Sequence, residues 1–242
     1  MELVIDIGNT RVKAAVFINN GIHKVFNVKE ADAALVERVA PFKITSVIVS
    51  SVRPITQELR DLWGTVAPLL VLDHTTPLPI HNAYKTPETL GKDRIAAVIG
   101  GRFLYPEGPV LSIDAGTCIT YDLITSEDVY LGGNISPGIH LRYRAMDEFT
   151  SALPLVSKLD VEALYGQSTE ESMATGVITG MSAEIDGMIT RYESAFPGLK
   201  TVICGGDARY FVNNVKKEIF ANQNLVLLGL HKILLFNEKN LT

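Results

Sequence analysis

Val4-Ile5-Asp6-Ile7-Gly8-Asn9-Thr10 and Ser112-Ile113-Asp114-Ala115-Gly116-Thr117-Cys118 carry one pattern twice. Each is an apolar run that ends in Asp-x-Gly, passes through a polar turn and enters a second strand-like run. The two copies stand too far apart for a solenoid, whose repeats recur every 20–50 residues or so. A repeat at this separation predicts two homologous lobes. The break falls near residues 105–108, where Pro106 and Gly108 punctuate the chain, so the lobes are expected at 1–106 and 107–242.

The pattern around each copy is alternating. Residues 1–27 read as three short strands, with turn chemistry at Gly8-Asn9 and Asn19-Asn20-Gly21. A helix over 31–39, a strand over 46–50, a helix over 55–63, a strand over 69–72 and a long helix over 88–105 follow. Then the order restarts: strands over 110–113 and 119–124, a third opening at Tyr130-Leu131, and helices over 139–149 and 170–196. A strand over 201–204, a helix over 208–215, a strand over 225–228 and a helix over 231–236 complete an α/β chain. The apolar stripe Met173, Val177, Ile178, Met181, Ile185 and Met188 in the longest helix fits either a core or an interface.

Bulk properties narrow the function. The 242 residues are 47% hydrophobic and 20% charged, a globular composition. The net charge of −5 leaves no basic footprint for nucleic acid, and Lys216-Lys217 is too small to supply one. No apolar run reaches the roughly 18 residues of a membrane span. The first residues, Met-Glu-Leu-Val-Ile-Asp, lack the basic region of a secretion signal, so a cytoplasmic location is expected. Cys118 and Cys204 both sit in apolar runs and read as buried free thiols. The five histidines are scattered without zinc-helix spacing.

The first turn has the chemistry of a phosphate site. A glycine turn brings backbone N–H groups close to phosphate oxygens. Asn9 and Thr10 add side-chain donors, and Lys13 lies on the returning strand. The Asp6 carboxylate would be repelled by bare phosphate, but a hydrated Mg²⁺ between them removes the conflict. An ordinary hairpin turn accounts for one such segment. The second, at Asp114 to Thr117, favours a pair of turns facing each other across a cleft and clamping a nucleotide. The dinucleotide fingerprint Gly-x-Gly-x-x-Gly is absent after the first strand. Gly91-Lys92 is followed by Asp93, so a P-loop is excluded as well. Pro87 makes Tyr84 to Arg94 a loop entering a helix. Asp93 there either complements the helix dipole or serves as a base beside an anion-binding arginine.

Taken together, Asp6-x-Gly8-Asn9-Thr10-x-x-Lys13, Tyr84-x-x-Pro87-x-x-x-Gly91-x-Asp93-Arg94, Asp114-x-Gly116-Thr117, Gly132-Gly133-x-Ile135-x-Pro137-Gly138, Gly166-x-x-Thr169 and Gly205-Gly206 resemble the type III pantothenate kinases over nearly the whole chain. The resemblance implies two duplicated actin-like (ribonuclease H-like) lobes with a nucleotide cleft between them. It implies phosphorylation of pantothenate by ATP with Mg²⁺, the first step towards coenzyme A, by a homodimer that needs K⁺ or NH₄⁺. By the same resemblance Asp6, Ile7, Gly8, Asn9, Thr10, Arg11, Val12 and Lys13 form the ATP phosphate segment, with Thr117 a second nucleotide contact. Asp114 holds the monovalent cation. Tyr84, Gly91, Lys92, Asp93 and Arg94 contact pantothenate, with Asp93 accepting the proton. Thr169 touches pantothenate near the dimer interface, and Gly205-Gly206 passes the adenosine. Lys92 and Cys118 depart from the smaller residue expected at each position. Two other readings share the turns: a non-catalytic actin-like ATP-binding regulatory or assembly factor, and a different small-molecule kinase or acyl-phosphate enzyme of the same fold. The first would not need Tyr84, Asp93, Arg94 and Thr169.

Overall fold

The run Leu3-Val4-Ile5 is apolar at every position because the strand it forms is covered on both faces. A computed structural model describes residues 1–157, 161 and 163–238. It divides into two compact units. The first holds Met1–Pro106 with β1 (Glu2–Ile7), β2 (Val12–Ile18), β3 (Gly21–Val28), α1 (Ala33–Val39), β4 (Ser46–Ser51), α2 (Gln57–Gly64), β5 (Leu69–Val71), β6 (His81–Asn82) and α3 (Lys92–Leu104). Its sheet order is β3-β2-β1-β4-β5. β1 is antiparallel to β2 and parallel to β4, with Asp6 opposite Lys13 on one side and beside Ser50 on the other.

Capping explains where the first two helices start. Asp32 and Thr56 accept from the backbone N–H of Leu35 and Leu59, at 3.3 Å each. α2 is locked down by Trp63, which is fully buried and donates its indole N–H to the Ala31 carbonyl at 3.1 Å. The sequence suggested one helix over residues 88–105. The structure has a 3-10 turn at Pro87–Thr89, extended backbone at Leu90, and the α-helix proper only from Lys92. Pro87 suits the first position of the short turn, and Gly91 then caps α3.

The second unit holds Glu107–Ser126 and Gly132–Gln223. Its elements are β7 (Val110–Ala115), β8 (Cys118–Ile124), β9 (Val129–Pro137), α4 (Ile139–Phe149), α5 (Thr169–Ala195), β10 (Lys200–Cys204), α6 (Ala208–Val212) and β11 (Phe220–Ala221). The order β9-β8-β7-β10-β11 repeats β3-β2-β1-β4-β5, with β7 antiparallel to β8 and parallel to β10. The internal echo in the sequence is thus a duplicated topology. The opening residues of β9 group with the first unit, where Val129 and Tyr130 pair with His81 and Asn82 of β6. In the α5 stripe Met173, Val177, Ile178, Met181 and Ile185 are buried in the core of their own unit, and Met188 is partly buried against it. Cys204 is buried, whereas Cys118, at the start of β8, is only half-buried.

Two expectations need correction. Residues 225–228 are not a strand separate from a helix over 231–236: α7 (Leu225–Asn237) is one helix. The apolar run of Leu225 to Leu228 carries no periodicity because Leu225, Leu227, Leu230, Ile233 and Leu234 are all buried. Gly229 is there because α3 crosses α7 at backbone contact; a Cβ on it would lie 1.7 Å from the Ala96 carbonyl oxygen. The helix also groups with the first unit. A contiguous second lobe over 107–242 is therefore not what the chain forms. α7 buries its apolar surface on α3 and on β1 and β4.

Candidate active site

Site residues of the first unit gather where β1 and β4 end. Ile7 is in register with Val12 and with Ser51. The Gly8 N–H donates to the Arg11 carbonyl at 3.1 Å and closes a turn whose Asn9, Thr10 and Arg11 side chains are exposed. Asp6 and Lys13, as directly opposed residues, project to the same face of the sheet. The segment Asp6 to Lys13 therefore presents a carboxylate, an ammonium and a polar tip together, all with β-hairpin rigidity.

The loop after β4 is tied to this turn. The Val52 N–H donates to the Ile7 carbonyl at 3.1 Å, and an Arg53 guanidinium N–H to the Gly8 carbonyl at 3.4 Å. Ser51 Oγ accepts from the Arg53 N–H at 3.0 Å and donates to the Arg53 carbonyl at 2.7 Å. The start of α3 joins the same end, since Lys92 Nζ donates to the Ser51 carbonyl at 3.2 Å. Asp93 follows in the first turn, its Oδ1 accepting from the Arg94 N–H at 2.9 Å. Arg94 is only 6% exposed, and its guanidinium carbon lies 5.6 Å from the centre of the Tyr84 ring. Tyr84 in turn stacks on Tyr130, with ring centres 6.0 Å apart and planes at 18°. A guanidinium buried against an aromatic face is pre-organised, and its loss of side-chain freedom is already spent before a ligand arrives.

Asp114, Thr117 and Thr169 lie in the second unit. Asp114 is opposite Thr120 and beside Cys204, the position equivalent to Asp6. The Gly116 N–H donates to the Cys118 carbonyl at 2.9 Å, and the Thr117 carbonyl accepts from the Gly138 N–H ahead of α4 at 3.1 Å. Gly205, at φ +95°, is required here: a Cβ on it would fall 2.2 Å from the Ala115 carbonyl oxygen and 2.4 Å from Asp114 Oδ1. The Ala115 carbonyl oxygen, which accepts from the Asp207 N–H at 2.9 Å, and Asp114 Oδ1 both lie against Gly205. Thr169 opens α5 directly after its cap Ser168, on the wall of a hollow of about 620 Å³ lined also by Met146, Leu153, Gly166 and Met173.

Sequence reading overlooked Ser51, Arg53 and Tyr130. A signal existed for the first two. Ser50-Ser51-Val52-Arg53-Pro54 follows an apolar strand, and ligands gather at the carboxyl ends of parallel strands. Finding it required knowing that β4 lies beside β1. Among the described residues no group of three or more His, Cys, Asp or Glu could cage a metal.

The model of the family described as type III pantothenate kinase matches residues 2–191. The chain belongs to the type III pantothenate kinase family. A type III pantothenate kinase of Christiangramia forsetii is 44% identical over 241 residues, covering 98% of this chain and 99% of the relative. Among solved structures, a Baf family transcriptional activator from Campylobacter jejuni superposes with a TM-score of 0.63 at 23% identity, covering 98% of this chain and 99% of that one. A ROK family glucokinase from Streptomyces griseus, in complex with glucose and AMPPNP, gives 0.54 at 13% identity, covering 95% and 97%. At those identities the structures speak for the fold alone, the actin-like one. The family is one of kinases, which use ATP with a divalent metal.

Proposed function

We infer that this chain transfers the γ-phosphoryl group of ATP to the primary hydroxyl of pantothenate, giving 4'-phosphopantothenate at the entry to coenzyme A synthesis. One observation carries the reading beside family membership. Ser51 is in register with Ile7, at the mouth of the Asp6–Lys13 turn, and its carbonyl holds the side chain of Lys92 in the acceptor segment. The phosphate segment and the candidate proton acceptor are thus fixed to one end of one sheet. Phosphoryl transfer needs little more than positioning and charge neutralisation.

In this reading the Asn9 and Thr10 tip and Lys13 hold the ATP phosphates, and Asp6 is the carboxylate that would hold Mg²⁺. The metal, when bound, neutralises charge on the phosphates. Arg94, stiffened by Tyr84, pairs with the pantothenate carboxylate or an amide carbonyl, and Asp93 takes the hydroxyl proton. Thr117 is a second nucleotide contact, and Thr169 a second pantothenate contact. Asp114 and the Ala115 carbonyl, adjacent at Gly205, suit a large, weakly held cation such as K⁺ or NH₄⁺. A homodimer is also part of the reading, supported by the exposed Phe149, the last residue of α4, and by Leu155, Leu164 and Tyr165 between α4 and α5. The location is taken as cytoplasmic; no described helix is long and apolar enough to cross a membrane.

The test is ADP release from ATP with and without pantothenate, in K⁺ and in a bulky organic cation. Turnover that requires pantothenate and falls in the organic cation is the expected result. ATP hydrolysis indifferent to pantothenate would leave a nucleotide-binding factor instead. Pantothenate-dependent turnover equal in both buffers would remove only the cation role of Asp114.

A further inference from the structure

Pro137-Gly138, between β9 and α4, has no role in the function inferred above. The two residues share one rigid peptide plane, engaged on both sides. Its N–H donates to the Thr117 carbonyl at 3.1 Å, and its carbonyl accepts from Arg142 Nε at 2.8 Å. The backbones touch as well: a Cβ on Gly138 would lie 2.2 Å from the Gly116 carbonyl oxygen and 2.6 Å from that of Thr117. The Thr117 side chain is exposed beyond this contact. The Arg142 guanidinium is itself fixed. Its Nη2 donates to Ser136 Oγ at 3.1 Å and to Glu184 of α5, while the Tyr121 hydroxyl of β8 donates to the other Glu184 oxygen at 3.2 Å. Burial, and then the Glu184 charge, push the Tyr121 hydroxyl far above its ordinary range, so it stays a donor. The needs of α4 alone do not call for Arg142. A helix start leaves N–H groups unbonded, whereas Arg142 serves a carbonyl that precedes the helix, near an end whose dipole disfavours a cation.

We propose that Arg142 is a positioning residue for the second turn, acting on Thr117 through the Pro137–Gly138 peptide and held in place by Glu184. The proposal rests on the nucleotide contact given to Thr117 above. A guanidinium suits the task, because Nε and Nη2 lie in one plane and serve separate acceptors at a fixed spacing; an ammonium on a flexible stem does not reproduce that fork. A carbonyl that accepts from a charged donor polarises its peptide, which makes the Gly138 N–H a stronger donor to Thr117. The chain of bonds thus runs from Tyr121 and Glu184 through Arg142 and one peptide to the turn, all within the second unit. Without the guanidinium the peptide is free to rotate, and the Thr117 carbonyl loses its fixed donor. Tyr84, Asp93 and Arg94 stand in the first unit, off this chain of bonds.

The test measures the Kd of Mg·AMPPNP by calorimetry, the KM for pantothenate at saturating ATP, and Tm. Arg142→Met keeps the apolar stem and removes the donors. Its nucleotide Kd should rise about 3–30-fold, as for a residue coupled to a site it does not touch, with KM for pantothenate within about two-fold. Arg142→Lys keeps a cation for Glu184 and should recover Tm but only part of the affinity. Glu184→Gln, which keeps an acceptor for Tyr121 and removes the charge facing Arg142, should give a smaller rise in Kd, and it carries the test if Arg142→Met does not fold. A double-mutant cycle locates the effect: in a Thr117→Ala background Arg142→Met should weaken nucleotide little further. A lowered Tm at unchanged Kd would make Arg142 a structural brace and overturn the proposal. So would a raised KM for pantothenate at unchanged Kd, or additive losses in the cycle. ADP release indifferent to pantothenate in the wild-type protein would refute the function inferred above, while the nucleotide affinities would still decide this role.

Discussion

Asp93→Asn tests the chemistry most sharply, because the structure separates its two consequences. In the folded protein Asp93 Oδ1 accepts from the Arg94 N–H at 2.9 Å. An asparagine oxygen can accept the same bond, so the start of α3 loses only the interaction of a negative charge with the helix N-terminus. That is worth about 0.3–1 kcal/mol. For a protein of this size 1 kcal/mol corresponds to about 2–4 °C, so Tm should fall by no more than about 4 °C. Turnover answers to a different quantity. A well-placed base contributes about 10²–10⁴-fold, or about 2.7–5.4 kcal/mol of barrier at about 1.36 per tenfold. In a loose phosphoryl-transfer transition state the proton leaves late, which puts the expectation near the lower figure. The KM for ATP should hold, since the Asp6–Lys13 turn does not include the altered side chain. The assay is ADP release at saturating ATP and pantothenate, with a thermal melt alongside. A folded variant within a few-fold of wild-type kcat would refute the assignment and leave Asp93 as a helix-start residue only.

Asp6→Asn keeps the turn, which tolerates either residue, and should require more Mg²⁺ for half-maximal activity; wild-type rates at limiting Mg²⁺ would remove the metal role. Gly229→Ala in mid-helix would ordinarily stabilise by up to about 1 kcal/mol, yet here its Cβ meets the Ala96 carbonyl oxygen at 1.7 Å. A loss of about 1–3 kcal/mol is expected instead, a Tm lower by about 2–12 °C, and an unchanged or higher Tm would contradict the close crossing of α3 and α7. His231 is 1% exposed, stacked on Phe17 at 4.0 Å and 3.3 Å from Glu2, with Lys232 beside it. Burial outweighs the Glu2 carboxylate and lowers its pKa below the ordinary 6.5. The unfolded chain then binds the proton that the folded one refuses, so stability falls as pH drops below about 6.5 towards the lowered value. His231→Gln should flatten that part of the Tm–pH profile; an unaltered slope would assign it to other groups.

The duplicated lobes were legible because a strand ending in Asp-x-Gly is a local pattern that survives duplication. The long helix expected over 170–196 was legible from its periodicity. What escaped were features defined by distant partners. Leu225 to Leu228 looks like a buried strand because a helix covered on most sides loses its polar face. The return of that helix to the first unit cannot be read from its own residues, since its contacts are to α3, β1 and β4. The same holds at the site. Asp6, Lys13, Asp93 and Arg94 announce themselves by type and spacing, whereas Ser51 matters through a carbonyl, and every residue has one. Tyr130 matters only as the ring beneath Tyr84.

The two Asp-x-Gly turns are copies in topology but not in charge, and the proposed roles follow that difference. Gly8, Asn9, Thr10 and Arg11 fill the first turn between Ile7 and Val12; Gly116, Thr117 and Cys118 fill the second between Ala115 and Ile119. The first is longer by one residue, and its tip is exposed and polar. Opposite Asp6 stands Lys13, while opposite Asp114 stands Thr120. A turn that must hold several phosphate charges gains from a fixed ammonium, and its carboxylate then needs a divalent ion to remain near the same oxygens. In the proposed function the second turn, with the Asp114 carboxylate and the neutral Thr120 opposite it, takes the monovalent cation. On the proposed function, exchange of one cross-strand partner, Lys13 for Thr120, lets a duplicated motif serve the phosphates in one unit and a weakly held cation in the other.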